Sequence, residues 1–467
     1  MPEQGLDQPA ESVGPQAGSA GLSARAVRRA EGLSPLQALQ RVLYRCAKQD
    51  STRRFHAVYD KLTRRDVMWA AWAEVAANKG APGVDGVSVA GIIADGVAGV
   101  SVFLDELAQR VAAGTYRPSA LRRVNIPKPG QPGKTRPLGI PTVADRVVMT
   151  AAKMVLEPIF EADFLPASYG FRPKRSAHDA LEVVRAEANR GRNWVLDADV
   201  TNCFGEIDRE VLVGQLARRI SDRRMLKLIR AWLRVGVIEN GVLTATEAGT
   251  PQGSPVSPLL ANVALHVLDE MWQTDEARTG VLVRFADDFV ILCGSRAQAE
   301  HARDRVVEIL AGLGLRLHPD KTRIVNLTQG MDGFDFLGFH LRKKESYKLP
   351  GRYYLHRWPS DRAMNSIRTK VRDRTGRDQV GRSTEAVVSD LNPMLRGWGN
   401  YFRWGNSAAK FATIDSYVHE RLAILASRKH NRQGRGWVHR YNTTWLRSLG
   451  VYKLSGTIRY RTVHASR

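Results

Sequence analysis

At 467 residues the chain has room for about three domains, and its 43% hydrophobic and 25% charged content excludes wholesale disorder. No apolar run approaches the roughly 20 residues of a membrane span, and three scattered cysteines (Cys46, Cys203, Cys293) exclude a disulfide scaffold and fit a reducing cytoplasm. Lys and Arg number 70 against 47 acidic residues, and this net charge of +23 points to a polyanionic partner, nucleic acid before a membrane surface.

In chain order, residues 1–33 are rich in Gly, Ala, Ser, Gln and Pro, lack apolar periodicity and read as a disordered leader. From Pro35 to Ala77 the apolar positions follow helical spacing, through Leu36, Leu39, Val42 and Leu43 and on to Val67, Trp69 and Trp72. Residues 78–140 show short strand-like runs broken by Gly, Pro and basic residues. Helices are predicted over Val143–Phe160, His178–Arg190 and Ala297–Leu313, the last stopped by Gly314. Strands are predicted over Trp194–Val200, Val281–Cys293 and Gly333–Leu341, and together these elements give an α+β core. After Lys348 a loop leads into a basic helical tail.

That tail is unevenly charged. From Leu341 to Arg467 there are 27 Lys and Arg against 8 Asp and Glu, with five of the ten tryptophans. Guanidinium groups fork onto phosphates and stack on bases, so arginine with tryptophan suits RNA.

The acids of the core are the most informative feature. In Val281–Cys293 apolar residues flank Asp287-Asp288, the pattern of a β-hairpin with an acid pair at its tight connection. Two adjacent carboxylates there are electrostatically poor unless a cation compensates. Trp194–Val200 ends in another acid, Asp199, which shares a strand face with Asp197 because side chains alternate with period two. Three carboxylates from two neighbouring strands suit two hard divalent cations about 3.5–4 Å apart, which activate a 3′-hydroxyl and stabilise leaving pyrophosphate. No histidine carries a metal motif, and His178 and His340 read as structural.

Phe285-Ala-Asp-Asp288 resembles the tyrosine-x-aspartate-aspartate box of reverse transcriptases, with Phe285 where the family more often has tyrosine. Around it stand Gly80–Gly86, Ile126–Lys128, Gly133–Pro141, Ser168–Pro173, Gly249–Pro258, Leu317–Thr322 and Phe336–Phe339. Leu395–Tyr401 follows in the tail. Eight such blocks in this order resemble the group II intron reverse transcriptase/maturase family over most of the chain, from about Leu33.

The resemblance implies a right-hand polymerase fold: a leader (1–33), fingers and palm with an antiparallel palm sheet (34–345), and an all-helical basic thumb/maturase domain (346–467). It implies Asp199, Asp287 and Asp288 as the catalytic triad holding two Mg2+ ions, with Val200 in the same metal site. Lys128, Arg136 and Gln252 match nucleotide contacts. Phe204, five residues after Asp199, matches the aromatic gate that rejects a 2′-hydroxyl. Arg172 and Lys321 are implied as contacts to template or primer, and Arg396, Trp398, Arg428, Lys429 and Arg435 as RNA contacts of the tail. The implied partners are intron RNA, an RNA template, a DNA primer and deoxynucleotides. The implied setting is a bacterial cytoplasm, with mobility and splicing as the biology. With no paired cysteines or nuclease-like stretch after Ser455–Arg459, the layout resembles nuclease-less, group IIC-like proteins. A splicing factor with a vestigial polymerase fold, and a domesticated reverse transcriptase in phage defence or DNA repair, remain as alternatives.

Overall fold

The computed structural model describes residues 33–127, 133, 135–239, 242–244, 253–430 and 437–459. All but the last residue of the expected leader therefore lies outside the described residues. The helical stretch predicted over Pro35–Ala77 is two helices, Pro35–Gln49 and Arg65–Ala77, joined through a 3₁₀ turn at Asp60–Thr63. The first begins where Ser34 and Gln37 close a reciprocal capping box ahead of a proline, a cap worth about 1 kcal/mol. The next segment differs from expectation. Residues read as strand-like form the helices Val89–Ile93 and Gly96–Ala112, and the second buries Val100, Leu104, Leu107 and Val111 along one face. Interruption by Gly and Pro made these runs read as short strands, but the three- and four-residue spacing of the buried positions is that of a helix face.

Eleven strands follow among the described residues: β1 (Leu121–Pro127), β2 (Thr135–Ile140), β3 (Trp194–Asp199), β4 (Val237–Glu239), β5 (Val242–Thr244), β6 (Gly280–Phe285), β7 (Asp288–Cys293), β8 (Arg323–Asn326), β9 (Gly333–Phe336), β10 (Phe339–Glu345) and β11 (Tyr353–Pro359). They make three sheets, ordered β2-β1-β4-β5, β6-β7-β3-β8 and β11-β10-β9. The second sheet is antiparallel throughout.

This central sheet is covered on both faces, and alternation along its strands decides which residue goes where. Leu196, Ala198, Phe289, Ile291 and Cys293 join a core shared with the helices Val143–Glu161 and Ser257–Asp275. Val195, Val290 and Leu292 join a second core with the helix Ala177–Asn189, the third sheet and the C-terminal helices. Each fully buried Val, Leu, Ile or Phe side chain among them contributes about 1.5–3 kcal/mol. Asp197, Asp199 and Asp288 continue the second face where its apolar filling stops.

The third sheet was not anticipated in full. The stretch expected as one strand over Gly333–Leu341 is two, split at Leu337-Gly338, whose positive φ values (51° and 77°) are those of a tight hairpin turn. The loop expected after Lys348 contains β11, which pairs with β10 from Phe339↔Pro359 to Glu345↔Tyr353. The domain boundary expected at 345/346 therefore falls inside a hairpin, and the helical region starts at Asp361. Helices Asp361–Arg374, Thr384–Phe402 and Ala408–Lys429 pack around Ile367, Leu391, Leu395, Phe411 and Leu422. Gly399 leaves room there for a neighbour: a Cβ would stand 2.6 Å from Leu454 Cδ2, so the buried leucine side chain would have to shift. Among the described residues no helix is long and apolar enough to cross a membrane.

Candidate polymerase active site

β3 and β7 are direct neighbours, and Asp199 lies in register with Asp288. β6 and β7 close on the pair Phe285↔Asp288, leaving Ala286-Asp287 as a two-residue turn. Two segments distant in sequence thus bring three carboxylates to one end of the central sheet. Ala286 takes a left-handed φ of 60°, a conformation that costs a non-glycine residue energy and persists only where its surroundings enforce it.

Those surroundings are visible. Gly170 lies so close beneath the turn that a Cβ would meet the Ala286 nitrogen at 2.3 Å. Arg284, fully buried on β6, donates from Nε and Nη2 to the two carboxylate oxygens of buried Asp269 (2.8 and 2.5 Å). Its Nη1 donates to the Ala286 carbonyl (2.9 Å) and to Asn262 Oδ1 (3.1 Å), while Asn262 Nδ2 donates to the Gly170 carbonyl (2.8 Å). Burial opposes the Asp269 charge, but the Arg284 guanidinium outweighs it and holds the carboxyl below its ordinary range.

The electrostatics mark the cluster as short of positive charge. Asp288 is pushed up to about 8, first by burial and then by the carboxylates of Asp197, Asp199 and Asp287. Asp197 is raised to about 6 by burial, against the pull of Arg323 3.1 Å away. Lys321 Nζ stands 2.5 Å from Asp199 Oδ2 and is the nearest counter-charge to that carboxylate. Among the described residues no three acid, His or Cys side chains are closed into a ready metal cage. The donor set nevertheless fits hard divalent cations: oxygen ligands only, with a mutual repulsion that added positive charge relieves.

Sequence comparison agrees with this geometry. Residues 126–341 match the family model described as reverse transcriptase (RNA-dependent DNA polymerase), and residues 364–443 match the group II intron, maturase-specific domain. The chain is 36% identical to Protein YkfC of Escherichia coli (strain K12) over 349 residues, covering 66% of this chain and 88% of that protein. It is also 36% identical to the group II intron-encoded protein LtrA of Lactococcus lactis subsp. cremoris, over 51% of this chain and 39% of LtrA. The chain belongs to the group II intron-encoded reverse transcriptase/maturase family. A solved structure described as a partial Cas6-RT-Cas1–Cas2 complex matches at 25% identity with a TM-score of 0.35, covering 54% of this chain and 41% of that one.

The reverse transcriptase and maturase elements place the remaining expected residues unevenly. Val200 is buried directly after β3 and bridges to Leu317. Phe204 sits in the short helix Cys203–Glu206, partly buried against the core, five residues beyond Asp199. Arg136 lies on β2, its backbone in register with Ile126. Lys128, Gln252 and Arg435 lie outside the described residues. Arg396 is exposed, with its guanidinium over the Tyr452 ring (5.2 Å). Arg428 is exposed at the end of its helix, and Lys429 donates to the Arg382 carbonyl.

Two expectations are corrected. Arg172, expected at the template, is buried and spends its guanidinium on Glu161 and on the carbonyls of Phe164, Leu165 and Ser168. No donor remains for a phosphate, so Arg172 organises the loop that carries Gly170 to the Ala286-Asp287 turn. Trp398, expected at RNA, is half-buried and packs its ring on Phe402 and Phe411 (4.8 and 5.5 Å) against the helical core.

Sequence reasoning missed Arg284, Asp269 and Asn262. The signal was present: a lone arginine in the apolar strand Val281–Phe285, and two polar residues seven apart, two helical turns, in a helix whose first half is largely apolar. A buried arginine needs partners, and that spacing puts both on one helix face.

Proposed function

We propose that the chain is an RNA-directed DNA polymerase that copies an RNA template from a DNA primer and binds intron RNA through its helical domain to assist splicing and mobility. The reading rests on one observation: Asp199 stands in register with Asp288 across adjacent antiparallel strands, with Asp287 in the turn between β6 and β7. Asp199, Asp287 and Asp288, with Val200 beside them, would hold two Mg2+ ions. Such ions, when bound, lower the pKa of the primer 3′-hydroxyl and neutralise charge on the leaving pyrophosphate. The chain's own part is to fix the carboxylates. The sheet sets the spacing of Asp199 and Asp288, and the Arg284 guanidinium pins the turn that aims Asp287. Lys128, Arg136 and Gln252 are proposed as contacts to the incoming triphosphate and sugar, and the thumb cations Arg396, Arg428, Lys429 and Arg435 as contacts to RNA. Three free thiols among the described residues fit a cytoplasmic setting.

Primer extension on an RNA template with Mg2+ tests the reading. Asp287→Ala is expected to cut deoxynucleotide incorporation on the order of a thousandfold or more while leaving RNA binding in place; wild-type incorporation by this variant overturns the catalytic assignment. Phe204 carries the sugar selection in this reading, because its ring follows Asp199 on the same short connection. Phe204→Ala is expected to raise the ratio of ribonucleotide to deoxynucleotide incorporation by about tenfold or more. An unchanged ratio removes Phe204 from that role.

A further inference from the structure

The end of the central sheet remote from the carboxylates carries a second cationic surface. β3 runs from Trp194 to Asp199, so its two ends are roughly 17 Å apart at about 3.3 Å per residue. At the Trp194 end the β10–β11 hairpin is tied down: Lys343 Nζ donates to Asn193 Oδ1 (2.6 Å) and the Leu355 amide donates to Asn189 Oδ1 (2.8 Å). These anchors bracket Arg190 and Arg192, and the hairpin tip projects beyond them.

The tip is built to present side chains. The Ser346 amide donates to the Arg352 carbonyl, the Arg352 amide to the Leu349 carbonyl, and the Gly351 amide to Glu345 Oε1. From this ordered turn Tyr347 projects with its ring fully exposed (101%), and Tyr354 is 38% exposed opposite Lys344. Lys344, Lys348 and Arg352 are exposed in the same tip, with Lys344 Nζ 5.9 Å from the centre of the Trp358 ring. Of the acids nearby, Glu345 caps Gly351, and the single Glu187 is shared by Arg190 and Arg192, which leaves this pair of arginines with a net positive charge.

We propose that this hairpin tip, with Arg190 and Arg192 beside it, is a docking surface for single-stranded RNA, separate from the catalytic cleft. Cations spaced around open aromatic faces neutralise phosphates while the rings stack on unpaired bases, a combination that duplex RNA, with its bases already stacked, does not satisfy. The surface is anchored at the Trp194 end of β3, a strand length away from the carboxylates, so RNA held there leaves the primer terminus free. The inference rests on the chain handling RNA and not on its polymerase chemistry.

The test uses the full chain, its cleft first filled with an RNA/DNA primer-template, and a short oligouridine carrying 4-thiouridine as probe. Photocrosslinks are expected on the peptide spanning 343–354. The variant Y347A/Y354A is expected to lose those crosslinks and to weaken oligouridine binding about tenfold or more. The variant K344Q/K348Q/R352Q is expected to flatten the log–log salt dependence by about 2. Both variants are expected to extend primers at the wild-type rate, which separates failure here from failure of the polymerase reading. Crosslinks confined to other peptides, Tyr variants that bind like wild type, or an equal loss of affinity for a blunt RNA duplex would each overturn the proposal.

Discussion

Asp288→Asn is expected to abolish nucleotide addition and, in the absence of divalent metal, to make the protein more stable than the wild type at neutral and alkaline pH. The carboxyl sits at about 8 in the folded chain against an ordinary value of 3.8, because burial and the charges of Asp197, Asp199 and Asp287 disfavour its ionisation. Between those two values the folded state holds a proton that the unfolded state has lost. Wild-type stability therefore falls as pH rises from about 4 to about 8 and stays low above that range. An asparagine keeps the shape without the charge, so the advantage of the variant grows over the same window. In thermal melts with EDTA the difference in Tm, at about 2–4 °C per kcal/mol, is expected to widen from pH 5 to pH 9. Added Mg2+ is expected to reverse the order by stabilising the wild type more than the variant. A Tm difference independent of pH, or equal stabilisation of both proteins by Mg2+, would contradict the account of the carboxylate cluster.

The parts of this site that were legible in the sequence are those whose geometry is local. The acid pair at a hairpin connection follows from apolar runs on either side of Asp287-Asp288, and Asp197 with Asp199 on one face follows from period two alone. Helices with strong start signals, such as Ala177–Asn189 behind the Ser176–Asp179 capping box, fell within a residue or so of expectation. What failed depended on partners distant in the chain. β11 reads as a loop because His356, Arg357 and Trp358 show no apolar alternation. Their strand conformation is imposed by seven paired positions on β10 and by buried Arg357 reaching Glu182 and the Trp404 carbonyl. Arg172 failed for a related reason. An arginine in a Gly- and Pro-rich loop reads as exposed, yet the loop wraps its own carbonyls around the guanidinium. Composition reports that a charge exists, and only packing reports where it is spent.

Arg284→Met is expected to be strongly destabilising, by about 3–5 kcal/mol, because it leaves Asp269 fully buried without its guanidinium partner and with only His266, 3.8 Å away, beside it. The double substitution Arg284→Met with Asp269→Leu removes both charges, and comparable replacements of buried ion pairs by apolar residues are neutral or stabilising. Most of the lost stability is therefore expected to return. Activity is not. The guanidinium also holds the Ala286 carbonyl, and without it nothing offsets the strained left-handed φ of the residue preceding Asp287. Relaxation of that turn by about 1 Å displaces a carboxylate enough to cost roughly a hundredfold in rate. The folded double variant is expected to show that loss, with a higher Mg2+ concentration needed for half-maximal extension and RNA binding unaffected. Arg284→Lys keeps the charge but cannot fork onto Asp269 and reach both Asn262 and Ala286, so it is expected to fall between the wild type and the double variant in Mg2+ requirement. A double variant that recovered stability and full activity together would show that the network only fills space beneath the turn, whereas recovery of stability alone identifies Arg284 as the residue that aims Asp287.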